Sequence, residues 1–199
     1  MAYRVNVVGL GGSLNPSSTS LASLKIAIKG AENAGAHTEL FDIRELDLPF
    51  YAPKAEPPEA ALKLCDAVHR ADGIIWSSPL YHGTISGSFK NALDWLELLR
   101  QRDPPYLTDK VVGLVSTAGG VLGLQAVITM EFAVRSLRGF AVPLVVPVAR
   151  AWRVFDQEGH PLDATTEAQL DKLGREVADI CLRRRTLSGE EMVEGSAEP

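Results

Sequence analysis

Three stretches of this 199-residue chain carry residues whose types and spacing suit chemistry: Gly9 to Ser20, Pro79 to Gly83 and Thr117 to Gly120. The first, Gly-Leu-Gly-Gly-Ser-Leu-Asn-Pro-Ser-Ser-Thr-Ser, follows an apolar run and opens a helical pattern. A turn of this kind points free backbone N–H groups and the hydroxyls of Ser13, Ser18, Thr19 and Ser20 at the positive end of a helix, which suits a phosphate monoester. It is neither of two better-known phosphate loops. The dinucleotide fingerprint requires a third glycine where Leu14 stands, and the P-loop requires a Gly-Lys-Ser/Thr ending, whereas no lysine precedes Lys25. An ordinary helix cap would also favour Ser and Thr here, so the loop alone leaves both readings open.

In the second stretch, Pro79-Leu80-Tyr81-His82-Gly83 combines a rigid proline, an aromatic ring and a glycine. Such a loop lays backbone amides along the polar edge of a flat heterocycle, with Tyr81 or Leu80 in apolar contact. In the third, Thr117-Ala118-Gly119-Gly120, two glycines allow close approach on the other edge. A phosphate at one loop and a flat ring between the other two describe FMN. The duller alternative is that Tyr81 fills a turn and Pro79 ends a strand.

For the three stretches to meet, they must lie at one edge of the fold. The pattern of the chain puts them there. Short β-branched runs at Tyr3 to Val8, Ala36 to Ile43, Gly73 to Ser78, Val111 to Ser116 and Phe140 to Val148 predict five strands. Apolar residues at three- and four-residue steps predict helices from Ser20, over 59–70, 86–100 and 122–137, and over 167–185. Pro143 marks the last strand as an edge or a bulge. Alternation of this kind implies an α/β, doubly wound, flavodoxin-like parallel sheet of five strands in the order 2-1-3-4-5, with helices on both faces. Ligands of such sheets lie outside the carboxyl ends of the strands, where the loops after strands one, three and four meet. Residues 44–58 form a long proline-bearing link, which is functional or covers a sheet edge.

One domain is expected over 1–185, followed by an acidic, disordered tail at 186–199. The tail holds four of the negative charges behind the net −5, leaving residues 1–185 at −1. A nearly neutral body without a basic stripe argues against nucleic acid or an anionic membrane as partner. No apolar run reaches bilayer length and no signal-peptide order opens the chain, so a cytoplasmic protein is expected. Cys65 and Cys181 are isolated core fillers, and His37, His69, His82 and His160 have no metal-ligand spacing, so no metal is expected.

Over most of residues 3–148 the chain resembles the NAD(P)H-dependent FMN reductases, which include quinone and azo-dye reductases. The resemblance rests on Gly12-Ser13-Leu14-Asn15-Pro16-Ser17-Ser18-Thr19-Ser20, similar to the family's Gly-Ser-x-Arg-x-x-Ser motif. It extends to Pro79-Leu80-Tyr81-His82-Gly83 with Gly87-Ser88-Phe89-Lys90-Asn91-Ala92-Leu93-Asp94-Trp95, and to the Gly-rich loop Ser116 to Gly123. It implies FMN held without a covalent link, NADPH or NADH as reductant, a small-molecule electron acceptor, and a homodimer or homotetramer that helps enclose the flavin. Ser13, Ser18, Thr19 and Ser20 would hold the phosphate. Pro79, Leu80, Tyr81, His82 and Gly83 would line the ring opposite Thr117, Ala118, Gly119 and Gly120. Lys90, Asn91 and Asp94 match the motif and are read as fixing the helix entry. Asn15 is counted with the site although the family often has arginine there, and Ser86 replaces a common proline.

The implied reaction passes hydride from NAD(P)H to FMN and electrons onward, with no protein nucleophile required. His82 is a candidate proton donor, and Arg150 and Arg153 are candidates to meet a 2′-phosphate. The acceptor stays open between free flavin, a quinone, an azo compound and an oxidised metal ion. Two rival readings remain: a non-enzymatic FMN-binding electron carrier on the same fold, and a phosphate-handling hydrolase using Ser13 or Ser18. Helices 86–100 and 122–137 are the candidates for subunit contact.

Overall fold

The computed structural model describes residues 4–187. Five parallel strands form the body of one sheet in the order β2-β1-β3-β5-β6: β1 Asn6–Gly11, β2 His37–Asp42, β3 Gly73–Tyr81, β5 Val111–Thr117 and β6 Phe140–Val148. The sequence predicts five strands, whereas the sheet has six. The chain folds back after β3 as β4, Thr84–Ile85, which pairs antiparallel through Leu80 with Ile85 and Tyr81 with Thr84. In chain numbering the order is therefore 2-1-3-5-6 with β4 off the path, not 2-1-3-4-5.

Alternation along the strands divides the core into two layers. Val8 and Leu10, Ile74 and Trp76, and Val112 and Leu114 face one side, while Val7, Ile75, Val111 and Val115 face the other. The first layer is closed by α2 Ile43–Leu46, α3 Glu59–Arg70, α4 Gly87–Trp95 and α5 Leu124–Ser136. The second is closed by α1 Thr19–Asn33 and α6 Ala164–Leu187. None of the described helices is long and apolar enough to cross a membrane.

Several boundaries differ from the sequence reading, each for a packing reason. The first strand runs through Gly9 and Gly11 rather than stopping at Val8, because a Cβ on Gly9 would lie 2.9 Å from Ile28 of α1. Residues 1–3, and with them Tyr3, lie outside the described residues. Pro79 does not break β3. It is the last rung of the ladder to β5, opposite Thr117, and beyond it the strand pairs with β4 instead. Pro143 lies in the edge strand β6, whose register to β5 shifts between Val112 and Leu114. The last helix is longer than 167–185. Asp163 accepts the amides of Thr165 and Thr166 at its start, and Thr186 and Leu187 belong to its end rather than to a tail. The rest of the expected tail, 188–199, lies outside the described residues.

Candidate functional site

The turn after β1 is shaped by a close crossing of two backbones. A Cβ on Gly11 would lie 2.9 Å from the amide nitrogen of Ser77 and collide with the Ser77 carbonyl oxygen. Gly12 takes φ 101° and donates its amide to the same carbonyl, at 3.1 Å. That contact turns the chain onto buried Ser13, whose hydroxyl donates to Ser18 Oγ at 3.0 Å. Ser18 caps α1 by accepting the amide of Leu21, at 3.2 Å. The Asn15 carboxamide accepts the amide of Ser17 at 3.0 Å, so where the related motif often carries arginine this loop carries a turn-former. The first helical bond runs from Ala22 N to Ser18 O, at 3.0 Å. The amides of Thr19 and Ser20 therefore precede the helical ladder and stand as donors at the positive end of α1.

Ser20 is turned inward and serves as a strut. Its hydroxyl lies 3.0 Å from Thr117 Oγ1, and its carbonyl accepts from Ser77 Oγ at 2.8 Å. The start of α1 is thereby tied to the ends of β3 and β5 by buried hydroxyls. Ser78 closes the neighbouring hairpin, donating to the Pro79 carbonyl and accepting the amide of Ser86 at 3.1 Å each. At its tip His82 and Gly83 hold φ 50° and 86°, both exposed.

The third loop is clamped by the segment after β6. Ala151 N donates to Ala118 O at 2.9 Å, Arg150 N to Gly120 O at 2.8 Å, and Trp152 Nε1 to Gly119 O at 3.3 Å. Trp152 sits in the 3₁₀ turn Ala151–Arg153, with the Arg153 guanidinium 4.5 Å from its ring centroid. No atom lies within 4 Å of where a Cβ would stand on Gly119 or Gly120.

These loops enclose a cleft of about 260 Å³. Ser13, Asn15, Ser18, Thr19 and Ser20 line one end, with Pro79, Leu80, Tyr81, Thr117, Ala118 and Gly119 facing them. His82, Gly83 and Gly120 are not among the lining residues, and Lys90, Asn91 and Asp94 stand away from it as well. Sequence reasoning missed Ser17, Ala151 and Trp152. A signal for the last was present: Trp152 stands between the two arginines singled out beyond the fifth strand, at the carboxyl edge where a parallel sheet gathers its loops. The lining contains no charged side chain, so an anion here is held by amides, hydroxyls and the helix dipole. Apolar Leu80, Tyr81, Ala118 and Trp152 complete the slot.

Neither cysteine belongs to this chemistry. Burial pushes the thiols of Cys65 and Cys181 up to about 12, which keeps them protonated at neutral pH. Elsewhere, half-buried Asp156 and exposed Glu158 and His160 bring donor atoms within 4.8 Å of one another, a grouping that histidine spacing alone did not reveal. There the His160 amide, with help from its ring, holds the Asp156 carboxyl below the usual range.

Comparison with known proteins agrees with this geometry. A family model described as NADPH-dependent FMN reductase matches residues 5–153. NADPH-dependent FMN reductase ArsH of Rhizobium meliloti is 30% identical over 157 residues, covering 79% of this chain and 64% of that protein. FMN-dependent NADPH-azoreductase of Staphylococcus aureus is 31% identical over 138 residues, covering 66% of this chain and 70% of that protein. The matched region spans 64% and 52% of the length of the ArsH proteins of Rhizobium meliloti and Acidithiobacillus ferrooxidans. Among solved structures, the flavoenzyme NAD(P)H:(acceptor) oxidoreductase FerB of Paracoccus denitrificans superposes with a TM-score of 0.71 at 24% identity, covering 90% of this chain and 98% of that one. An archaeal flavodoxin superposes at 0.64 with 11% identity, covering 89% and 99%. These superpositions identify the fold as flavodoxin-like α/β.

Proposed function

The chain belongs to the NADPH-dependent FMN reductase family, and from that premise we propose that it binds FMN in the cleft and transfers electrons from NADPH or NADH to a small-molecule acceptor. The observation that carries this reading is the union, in one uncharged cleft, of the unsatisfied amides of Thr19 and Ser20 with an apolar slot beside two glycines. The amides and the hydroxyls of Ser18 and Thr19 hold the phosphate, and the Ser13 hydroxyl, which donates to Ser18 Oγ, braces them from behind. Leu80, Tyr81 and Ala118 lie along the ring, and the open space at Gly119 and Gly120 admits its polar edge. Bound there, FMN supplies the hydride acceptance and onward electron delivery that no side chain of the cleft can supply. The protein's own work is to orient the phosphate and to keep water from one face of the ring. His82 stands outside the lining, so solvent is the proton source in this reading.

The test is a visible absorption spectrum of the protein loaded with FMN, desalted, and treated anaerobically with NADPH and with NADH. The expected result is a retained flavin spectrum that bleaches rapidly with at least one nucleotide. Slow bleaching would indicate an electron carrier instead, and failure to retain FMN would remove the cofactor assignment.

We also propose a homo-oligomer built on α5. Leu124, Ile128 and Phe132 recur at four-residue steps on its outer face and are 51%, 45% and 70% exposed, adjoining exposed Val121 and Leu122. By contrast, Phe89, Leu93, Trp95, Leu96 and Leu99 of the 86–100 segment are buried in the core and leave no comparable stripe. A continuous apolar patch of this kind marks a protein contact. The double substitution Ile128→Glu with Phe132→Glu is expected to convert a dimer or tetramer to monomer, read by light scattering on a sizing column. A wild-type chain that is already monomeric would overturn the assignment.

A further inference from the structure

A second cavity, of about 410 Å³, opens at the opposite edge of the sheet from the cofactor cleft, where β3 and β5 begin. Its walls are the ends of α3 and α6 and the loop that precedes β5. We infer that this cavity binds a compact phosphate anion, of the inorganic phosphate or pyrophosphate class, as a site separate from the one proposed for FMN.

The first support is charge. Arg70, Lys110, Arg184 and Arg185 line the cavity against two carboxylates, Asp72 and Asp109. Asp72 accepts from Arg185 Nε at 2.7 Å, and Asp109 from Arg184 at 3.2 Å. Arg70 and Lys110 form no ion pair among the described residues. Cations are also favoured at helix C-termini, and both α3 and α6 end here, but two such ends supply only roughly one negative charge between them. The lining stays positive by about one unit, which favours an anion.

The second support is the set of donors. Lys110 is 5% exposed, and its Nζ donates to the carbonyls of His69 and Ala71, both at 2.7 Å, which uses two of its three protons. Burial holds this ammonium below the usual lysine range, so an anion beside it offsets a cost already present. Nδ1 of His69, another lining residue, is buried with no partner among the described residues. Phosphate oxygens match both the planar forks of arginine and the point charge of lysine. No Phe, Tyr or Trp lines the cavity, so it offers a nucleobase no stacking surface.

The third support is rigidity. Asp72 N donates to Asn6 O at 2.9 Å, Val111 N to Asp72 O at 3.1 Å, and Phe140 N to Lys110 O at 2.9 Å. The Asp72 carboxylate also accepts the amide of Asn6, at 2.8 Å. The backbone that carries Asp72 and Lys110 is therefore locked to three strands before any ligand arrives, which lowers the ordering cost of binding.

The test is calorimetric titration of pyrophosphate into the full chain at low ionic strength, free of divalent cations, with and without FMN. One site is expected, with the same Kd in both cases. Arg70→Ala should raise that Kd at least about tenfold, and because Arg70 is exposed the fold is spared. Asp109→Asn should lower it severalfold: a facing carboxylate is removed at φ 66°, a conformation asparagine also adopts. On the FMN-loaded chain, adenosine diphosphate should bind the Arg70-dependent site no more tightly than pyrophosphate. No titration by the wild type, a Kd that Arg70→Ala leaves unmoved, or a titration that FMN abolishes would overturn the inference. Tighter Arg70-dependent binding of adenosine diphosphate than of pyrophosphate would overturn the assignment to a compact anion.

Discussion

Replacing Gly174 with alanine is expected to lower the melting temperature by about 6–12 °C, equivalent to a net loss of about 3 kcal/mol for a chain of this size. Helix propensity predicts the opposite sign, since alanine inside a helix is favoured over glycine by about 1 kcal/mol. Packing wins because the new methyl group would meet backbone rather than a movable side chain. It would lie 2.7 Å from Ala31 N and 2.8 Å from Ala27 C, and would collide with the Ala27 carbonyl oxygen. The fit is reciprocal: a Cβ on Gly30 would strike the carbonyl of Asp171. These two glycines let the backbones of α1 and α6 touch, and the substitution must push the helices apart. Overpacking of this kind costs about 1–3 kcal/mol against side chains and more against main chain. Because α1 carries Ser18 and the free amides at its start, FMN affinity should fall with stability. A calorimetric melt at or above the wild-type temperature would refute this account of the helix contact.

The fold was legible wherever one face of an element determines its residues. The continuous apolar runs of β3 and β5, buried on both faces of the sheet, and the helical steps of α3 and α4 are set by the two core layers and can be read without coordinates. Glycines were misread where their reason lies far along the chain. Gly9 and Gly11 look like turn residues, but one makes room for Ile28 and the other for Ser77, and both belong to β1. Strand β4 escaped notice because two residues carry no period. Pro79 looked like a terminator because its position on the last rung to β5 is a property of the partner strand.

The convergence of the three loops was also legible, because a parallel sheet collects the carboxyl ends of its strands at one edge. Side-chain direction was not. Ser20 reads as a phosphate-holding hydroxyl, yet its oxygen lies 3.0 Å from Thr117 Oγ1, so the pair braces the start of α1 against the end of β5 while both residues line the cleft. His82 adjoins the ring-lining tyrosine in sequence, but the hairpin tip carries it off the cleft lining. Trp152 went unnoticed because the loop after the last strand has no glycine or hydroxyl signature. Its place at the cleft follows from three hydrogen bonds to the neighbouring loop that no local pattern encodes.

Ser18→Asp should separate the two meanings of the serine-rich loop, because it moves stability and affinity in different directions. Aspartate caps a helix about as well as serine and is favoured near a helix N-terminus by about 0.3–1 kcal/mol. The Leu21 amide that Ser18 Oγ accepts, at 3.2 Å, would keep an acceptor. The melting temperature of the protein without FMN is therefore expected to stay level or rise slightly. A carboxylate about 4 Å from a phosphate dianion, however, costs about 2 kcal/mol even at the dielectric of water, and more in a partly enclosed cleft. The Kd for FMN should rise at least about thirtyfold, read by flavin fluorescence titration. Ser18→Ala should show the reverse ranking. Loss of the cap costs about 1 kcal/mol and some 2–4 °C, while one lost hydroxyl contact weakens FMN by only about 0.5–1.5 kcal/mol. If the serines only capped α1, with the phosphate bound elsewhere, the aspartate variant would bind FMN as well as the wild type and the alanine variant would be the poorer of the two.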